Sequence, residues 1–338
     1  VVPVAHKHEI RTIDSHTAGH PTRVIMSGVP TLEGRTAQEK CVWFEQHHDD
    51  VRKLLLHEPR GHSAMVGAVL FESDIAEHGA FFMGSYNYLP MCGHATIGLA
   101  ATLDYLGKLK PDGQGQASFT LEVPAGVITV HARYEGDRLV GVEFENVPAY
   151  LAARRVPFSL SGENHECDIA YGGNWYSLVK ASEVGVSLKP DGVQNALSIG
   201  SSIKKDINTR IKNGAIDGAV EPVHSVLFYD TQSDAAGIIS RQLVVLASNK
   251  FDRSPCGTGS SARLAQLLED REIKPGERVT MRNILDIDFA ASAVPGPSPS
   301  SSAPTLYQPR IEGMAHVTGT HFFILGDNDP LQDGFLCA

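Results

Sequence analysis

The sequence predicts an α+β protein built from two duplicated lobes, and three observations carry that prediction. Segments of strand and helix character alternate without the regular strand–helix–strand rhythm of a doubly wound sheet. Two similar turns, each centred on a Cys-Gly pair and each opening an apolar helix-like run, stand 164 residues apart, about half the chain. A repeat on that scale indicates duplicated lobes rather than a solenoid, whose periods run about 20–50 residues. At 338 residues the chain is long enough for each lobe to bury its own core.

Strands are expected over residues 24–27, 118–123, 127–134, 139–146, 175–180, 218–229, 239–246 and 321–325. The neighbouring runs 127–134 and 139–146 read as a hairpin across Glu135-Gly-Asp137. Helices are expected over residues 36–47, 49–56, 95–106, 191–204 and 260–269. The expected lobes are residues 1–150, carrying Cys92, and residues 151–314, carrying Cys256, with 315–338 returning to the first. The Ser- and Pro-rich stretch 295–309 reads as a surface loop, not a domain linker.

Composition narrows the function. The apolar share of 42% and charged share of 20% are those of an ordinary globular protein. A formal net charge of −10 argues against nucleic-acid or anionic-membrane partners, which need clustered Lys and Arg. No apolar run is long enough for a bilayer, and no basic segment leading into an apolar one opens the chain, so a cytoplasmic location is expected. An anionic small molecule must then be held locally, by oriented N–H groups. A homodimer is left open. The five cysteines, Cys41, Cys92, Cys167, Cys256 and Cys337, have neither the spacing of a disulfide framework nor a CxxC pair. Cys41 and Cys167 read as small buried hydrophobes, and Cys337 as an exposed residue near the chain end. His6, His8, His47 and His48 lack convergent partners and read as solvated, so no metal is expected.

Cys92 and Cys256 stand apart from the other three by their local context. The first lies in Tyr88-Leu-Pro-Met-Cys-Gly-His-Ala-Thr-Ile-Gly-Leu-Ala-Ala101 and the second in Asp252-Arg-Ser-Pro-Cys-Gly-Thr-Gly-Ser-Ser-Ala-Arg-Leu-Ala265. Gly93 and Gly257 let a ligand approach the backbone. The first N–H groups of a helix have no internal partner, and the positive end of its dipole lies there, which suits a carboxylate. The same field is expected to lower a thiol pKa from about 8.5 toward neutrality. One such turn is weak evidence; the matched pair is the signal.

Two thiols facing one carbon can move a proton from opposite faces, one as thiolate base and the other as thiol donor. They would titrate as a coupled pair, with the singly ionised form active. Backbone N–H groups must then hold the substrate carboxylate as carbanion charge spreads onto it. No lysine lies in a recognisable pyridoxal context, and there is no Rossmann fingerprint or P-loop, so no cofactor is expected. A lone Cys92 nucleophile with His94 as base, as in a hydrolase, is disfavoured because neighbouring turn residues rarely reach that geometry.

The sequence resembles the proline racemase family, which includes proline racemases, 4-hydroxyproline 2-epimerases and trans-3-hydroxy-L-proline dehydratases. The resemblance rests on Met91-Cys-Gly-His94 and Asp252-Arg-Ser-Pro-Cys-Gly-Thr-Gly259. It extends to Ile13-Asp-Ser-His-Thr-Ala-Gly-His-Pro-Thr-Arg-Val24, Glu58-Pro-Arg-Gly-His62, Gly313-Met-Ala-His-Val-Thr-Gly319 and Asp329-Pro-Leu-Gln-Asp-Gly-Phe335. It implies a diaminopimelate epimerase-like plan: two pseudo-symmetric lobes, each a curved sheet around a central helix, with the substrate between them. It implies Cys92 and Cys256 as the acid–base pair. Gly93, His94, Gly257 and Thr258 would supply carboxylate-binding N–H groups, and Asp252 would accept from the ring ammonium. Taken alone, Asp252 could be an N-terminal helix cap.

The branches of the family are expected to separate at particular residues. In the 3-hydroxyproline dehydratases the second cysteine is typically threonine, so Cys256 favours racemisation or epimerisation. Proline racemases tend to place Phe against the unsubstituted ring, where this sequence has Val66 and Leu246. His224, in Pro222-Val-His-Ser-Val-Leu-Phe228, matches a ligand-facing histidine of the hydroxyproline epimerases, with a core histidine as the other reading. A smaller wall and an imidazole suit a 4-hydroxyl group. The expected reaction is therefore epimerisation of trans-4-hydroxy-L-proline to cis-4-hydroxy-D-proline. The alternatives are a proline racemase, an epimerase of broad range including 3-hydroxyproline, and a non-catalytic amino-acid-binding protein.

Overall fold

The computed structural model describes residues 9–216, 221–235, 237–297, 304–324, 326 and 328–337. The chain forms two compact units, one of the residues up to Phe144 together with Met314 onward, the other Glu145–Gly313.

In the first unit the strands are β1 (Glu9–Thr17), β2 (His20–Ser27), β3 (Val66–Phe71), β4 (His78–Gly84), β5 (Tyr88–Leu89), β6 (Gln116–Val123), β7 (Gly126–Glu135), β8 (Arg138–Glu145) and the chain's last strand, β18 (Ala315–Ile324). Helix α1 (Ala37–Leu56) connects β2 to β3, and α2 (Gly93–Tyr105) connects β5 to β6. The order across the sheet is β18-β1-β2-β3-β4-β6-β7-β8, parallel at β2–β3 and β4–β6 and otherwise antiparallel. Short β5 folds back on β4 immediately before the cysteine turn.

The second unit contains β9 (Tyr150–Leu160), β10 (Glu163–Tyr171), β11 (Trp175–Lys180), β12 (Ser225–Asp234), β13 (Gly237–Val245), β14 (Phe251–Asp252), β15 (Val279–Arg282), β16 (Asp288–Pro295) and β17 (Tyr307–Gly313). Its helices are α3 (Val193–Lys212), between β11 and β12, and α4 (Gly257–Glu269), between β14 and β15. The order is β9-β10-β11-β12-β13-β15-β16-β17, parallel at β11–β12 and β13–β15 and otherwise antiparallel, with β14 folded back on β13. The two units therefore repeat one plan strand for strand, and the expected α+β class of two similar lobes holds.

Burial explains the role of each helix. Every residue of α2 from Gly93 to Leu103 is buried, and it packs against β1, β2, β3 and β18. Every residue of α4 from Gly257 to Leu268 is buried, against β9, β10, β11, β16 and β17. A helix of small and apolar residues on all faces has to be enclosed, and each sheet curves around its own. By contrast α1 and α3 bury one side only. The first contributes Cys41, Phe44 and Leu54–Leu56 to a core with Phe81 and Met83. The second contributes Val193, Ala196, Ile203 and Ile207 to a core with Cys167, Phe158 and Phe228. Cys41 and Cys167 are thus small core residues, and Cys337 is exposed. Among the described residues no helix is long and apolar enough to cross a membrane.

Several elements depart from expectation for identifiable reasons. The two helices expected over 36–47 and 49–56 are one, kinked where His48 adopts φ −141°, ψ 30°. The polar run around it hides the continuity, and the Thr36–Glu39 capping box marks the start. Helix α3 runs on to Lys212 because Ile203, Ile207 and Ile211 continue one stripe. The segment 230–237, which lies between the expected strands 218–229 and 239–246, is mostly strand: Asp230–Asp234 pair with Gly237–Arg241. Both faces of that extension are largely exposed, so no alternation betrays it. Within the expected 295–309 loop, Tyr307–Pro309 belong to β17 and pair with β16, while 298–303 lie outside the described residues, as do 218–220, His6 and His8. Strand β9 is hidden in the sequence by Arg155, whose φ of +48° breaks the alternation. His47 lies exposed on α1, its Nδ1 2.8 Å from the Trp43 carbonyl and its ring stacked on Trp43.

Close approach of sheet to helix depends on glycine at one point in the first unit. A Cβ on Gly98 would lie 2.9 Å from Ser15 Oγ and 3.0 Å from the Thr22 side chain. Gly98→Leu is expected to lower stability by about 1–3 kcal/mol, read from the urea midpoint. Gly113→Ala, at a position open to solvent, should stay within about 0.5 kcal/mol.

Candidate active site

In the first unit the β4–β5 hairpin delivers the chain to Cys92, which caps α2 in an extended conformation (φ −144°, ψ 105°). Cys92, Gly93 and His94 are all buried. The His94 imidazole turns back on the thiol, with Nδ1 3.4 Å from Cys92 Sγ. Although neighbouring turn residues rarely approach in this way, the first helical turn curls residue 94 over residue 92. Two further bonds hold the turn. The Thr17 hydroxyl donates to the His94 carbonyl at 2.8 Å, and the Thr96 hydroxyl to the Cys92 carbonyl at 2.9 Å. The His20 ring meets His94 edge to face at 4.2 Å between centroids. Val66 opens β3, buried and in register with Thr22, the residue that touches α2 at Gly98.

The second unit places Asp252, Cys256, Gly257 and Thr258 together at the start of α4, all buried. Asp252 does not cap the helix directly. Its Oδ1 accepts from both the N–H and the hydroxyl of Ser254 at 2.8 Å, and Ser254 Oγ accepts from the Cys256 N–H at 3.0 Å. From β13, the Gln242 side-chain amide donates to the Pro255 carbonyl and, at 2.8 Å, to Ser260 Oγ. This bracing holds Cys256 at φ +69°, a region costly for a residue with a side chain. Its sulfur accepts from the Gly259 N–H at 3.4 Å and lies 3.4 Å from the Tyr176 hydroxyl. Tyr176 is also 2.7 Å from Thr258 Oγ1.

The two cysteine turns are thus alike in topology and unlike in detail. The expected lowering of the thiol pKa by the helix start fails at Cys256. Burial, joined by the charge of Asp252, pushes its thiol up to about 12 against the helix N–H and hydroxyl contacts. Desolvation of an anion outweighs the dipole when no water reaches it. Leu246, just past β13, packs partly buried on the cluster containing Cys256, Tyr176, Leu178 and Leu227. His224 precedes β12, its N–H donating to the Trp175 carbonyl beside Tyr176. Burial, then the Lys204 ammonium, lower its pKa, so the ring is neutral near pH 7. Lys204 itself donates at 2.9 Å to the carbonyls of Leu246 and Ala247 and to Asn249 Oδ1, tying the His224 region to the Leu246 turn. Sequence reasoning overlooks Ser254, Tyr176 and Lys204. Ser254 stands inside the Asp-Arg-Ser-Pro-Cys motif, whereas Tyr176, 80 residues before Cys256, leaves no local signal.

A sequence profile described as "Proline racemase" matches residues 12–336. The chain belongs to the proline racemase family. It is 35% identical to a 4-hydroxyproline 2-epimerase of Chromohalobacter salexigens over 96% of this chain and 98% of that one. It is 32% identical to a trans-3-hydroxy-L-proline dehydratase of Bacillus thuringiensis over 96% and 97%. A crystal structure of a hydroxyproline epimerase from Agrobacterium vitis, with bound trans-4-hydroxy-L-proline, superposes with a TM-score of 0.84 at 26% identity, covering 98% of this chain and 96% of that one. A PhzF-family protein of Bacillus anthracis, at 14% identity and a TM-score of 0.60, shares the fold alone. As a member of the proline racemase family the chain is an enzyme of the racemase and epimerase class, and the hydrolase and non-catalytic binding readings fall away.

A thiol held at about 12 stays protonated through neutral pH. The stability it contributes is present below its ordinary value of 9.0 and lost as pH rises toward 12. In ligand-free protein, alkylation of Cys256 by iodoacetamide should still climb about tenfold per unit near pH 9–10, where an ordinary thiol of pKa about 8.5 levels off. Peptide mass mapping against exposed Cys337 reads this; a plateau below about pH 9 at Cys256 would contradict it.

Proposed function

We propose that the chain is a cofactor-independent epimerase that uses Cys92 and Cys256 to invert the α-carbon of 4-hydroxyproline, taking trans-4-hydroxy-L-proline to cis-4-hydroxy-D-proline. The observation that carries this reading is the presence of a buried thiol at the start of both enclosed helices, α2 and α4. A dehydration would need only one thiol to remove the α-proton; a second at the matching place supports delivery of a proton to the opposite face.

In this mechanism a thiolate removes the α-proton as the other thiol gives its proton to the far side, leaving the pair with exchanged roles. A Cys256 held protonated fits the donor half of such a pair. Charge passing from the α-carbon onto the substrate carboxylate is met by the N–H groups of Gly93, His94, Gly257 and Thr258. Asp252 accepts from the ring ammonium while its Oδ1 keeps Ser254, and through it Cys256, in place. For the 4-hydroxyl group, Val66 and Leu246 leave a smaller wall than phenylalanine, and a neutral His224 can donate or accept.

Incubation in D₂O with trans-4-hydroxy-L-proline, and separately with L-proline, should give α-deuteration and change of optical rotation, faster for the hydroxylated substrate. Faster turnover of L-proline would favour a proline racemase, and absence of exchange with any proline derivative would sink the epimerase reading. Cys256→Ala is expected to abolish epimerisation, and full retained turnover would refute the two-thiol mechanism. Planar pyrrole-2-carboxylate should inhibit competitively, because it resembles the flattened carbanion. His224→Ala should raise KM for 4-hydroxyproline about tenfold while leaving that for proline within about twofold; equal effects on both would remove His224 from the hydroxyl contact.

A further inference from the structure

The Tyr176 hydroxyl lies where a phenylalanine ring would satisfy the packing. Tyr176 is 1% exposed and its ring sits among Ala170, Leu178, Leu227 and Val244. A buried hydroxyl must be satisfied to avoid a penalty. Among the described residues this one faces the second cysteine turn, 3.4 Å from Cys256 Sγ and 2.7 Å from Thr258 Oγ1, with Thr258 Oγ1 itself 3.7 Å from the sulfur. The fold does not require it: β2, which holds the place of β11 in the first unit's plan, contains no tyrosine. There the sulfur of Cys92 has the His94 imidazole beside it instead.

We propose that Tyr176 is a positioning residue for Cys256, whose hydroxyl forms with that of Thr258 a reversible donor pair serving the sulfur in both of its protonation states. When the sulfur carries its proton, S–H donates to one hydroxyl oxygen and the two hydroxyls bond each other. When the sulfur is a thiolate, one hydroxyl turns to donate to it and the other donates to the first. Only hydroxyl hydrogens rotate, so no heavy atom need move as the proton comes and goes. The phenol keeps its proton throughout, because burial, then the nearby Cys256 and Asp252, hold its pKa far above the usual range. With the Gly259 N–H at 3.4 Å, these donors oppose the two influences that disfavour the thiolate, burial and the Asp252 charge. This role rests on the proposed use of Cys256 as an acid–base group.

Tyr176→Phe removes the hydroxyl and keeps the ring. Loss of one bond to a charged acceptor raises a thiol pKa by roughly one unit or more. Because a more basic thiolate is also more nucleophilic, alkylation of Cys256 at about pH 9 should fall about threefold to tenfold, with Cys337 in the same sample unchanged. In turnover, kcat should fall about tenfold with KM within about twofold. Incorporating 3-fluorotyrosine at position 176, a stronger donor, should speed Cys256 alkylation, which tests the proposal even if the phenylalanine variant does not fold. Cys256 alkylation unchanged relative to Cys337 in both proteins would overturn it. If alkylation responds as expected but no proline derivative is turned over, the hydrogen-bond role stands and the epimerase reading fails.

Discussion

The structure depends on enclosing two short helices on every side. Helices α2 and α4 are each 13 residues long, and nearly all of their residues are buried. A helix so enclosed satisfies its backbone internally except at its ends. Free N–H groups are therefore confined to the first turn, and both cysteines stand there. Enclosure also determines the character of the Cys256 thiol. At Cys256 the loss of water raises the thiol pKa more than the helix start and neighbouring donors lower it. Among the groups that oppose that rise, the Tyr176 hydroxyl comes first, then the Gly259 N–H and the Thr258 hydroxyl.

The two units repeat one topology, down to the parallel pairings and the short strand before each cysteine, but the turns are chemically distinct. Cys92 is extended and lies against an imidazole, whereas Cys256 is held at positive φ by the Asp252–Ser254 turn and faces two hydroxyls. Under the proposed reaction this inequality is reasonable. The two epimers of 4-hydroxyproline are diastereomers of unequal energy, so the groups acting on opposite faces have no reason to be equivalent. A racemase of an unsubstituted ring would face two mirror-image substrates and a stronger demand for balance.

Under the proposed reaction, substrate selection draws on a wider part of the second unit. Lys204, on α3, fastens the carbonyls of the Leu246 turn and its charge helps keep His224 neutral. The proposed hydroxyl contact and the wall beside it are thereby tied through one ammonium group. Lys204 need not touch a ligand to influence both.

The local sequence determined the cysteine turns, the helices that they open and the duplication. Short-range signals carry these: a Cys-Gly start, a run of small and apolar residues, and a second copy half a chain away. The capping residues Thr36 and Glu39 similarly marked α1. Tertiary structure alone decided the protonation of Cys256 and the neighbours of both thiols. Tyr176 reaches Cys256 from a different strand, Gln242 braces the turn from another, and Asp252 acts through Ser254 rather than as a direct cap. No periodicity or spacing encodes such contacts, because they arise when strands distant in sequence close around one helix. The balance between dipole and desolvation at Cys256 was equally invisible: the dipole belongs to the helix and is legible in the sequence, while desolvation belongs to everything packed around it.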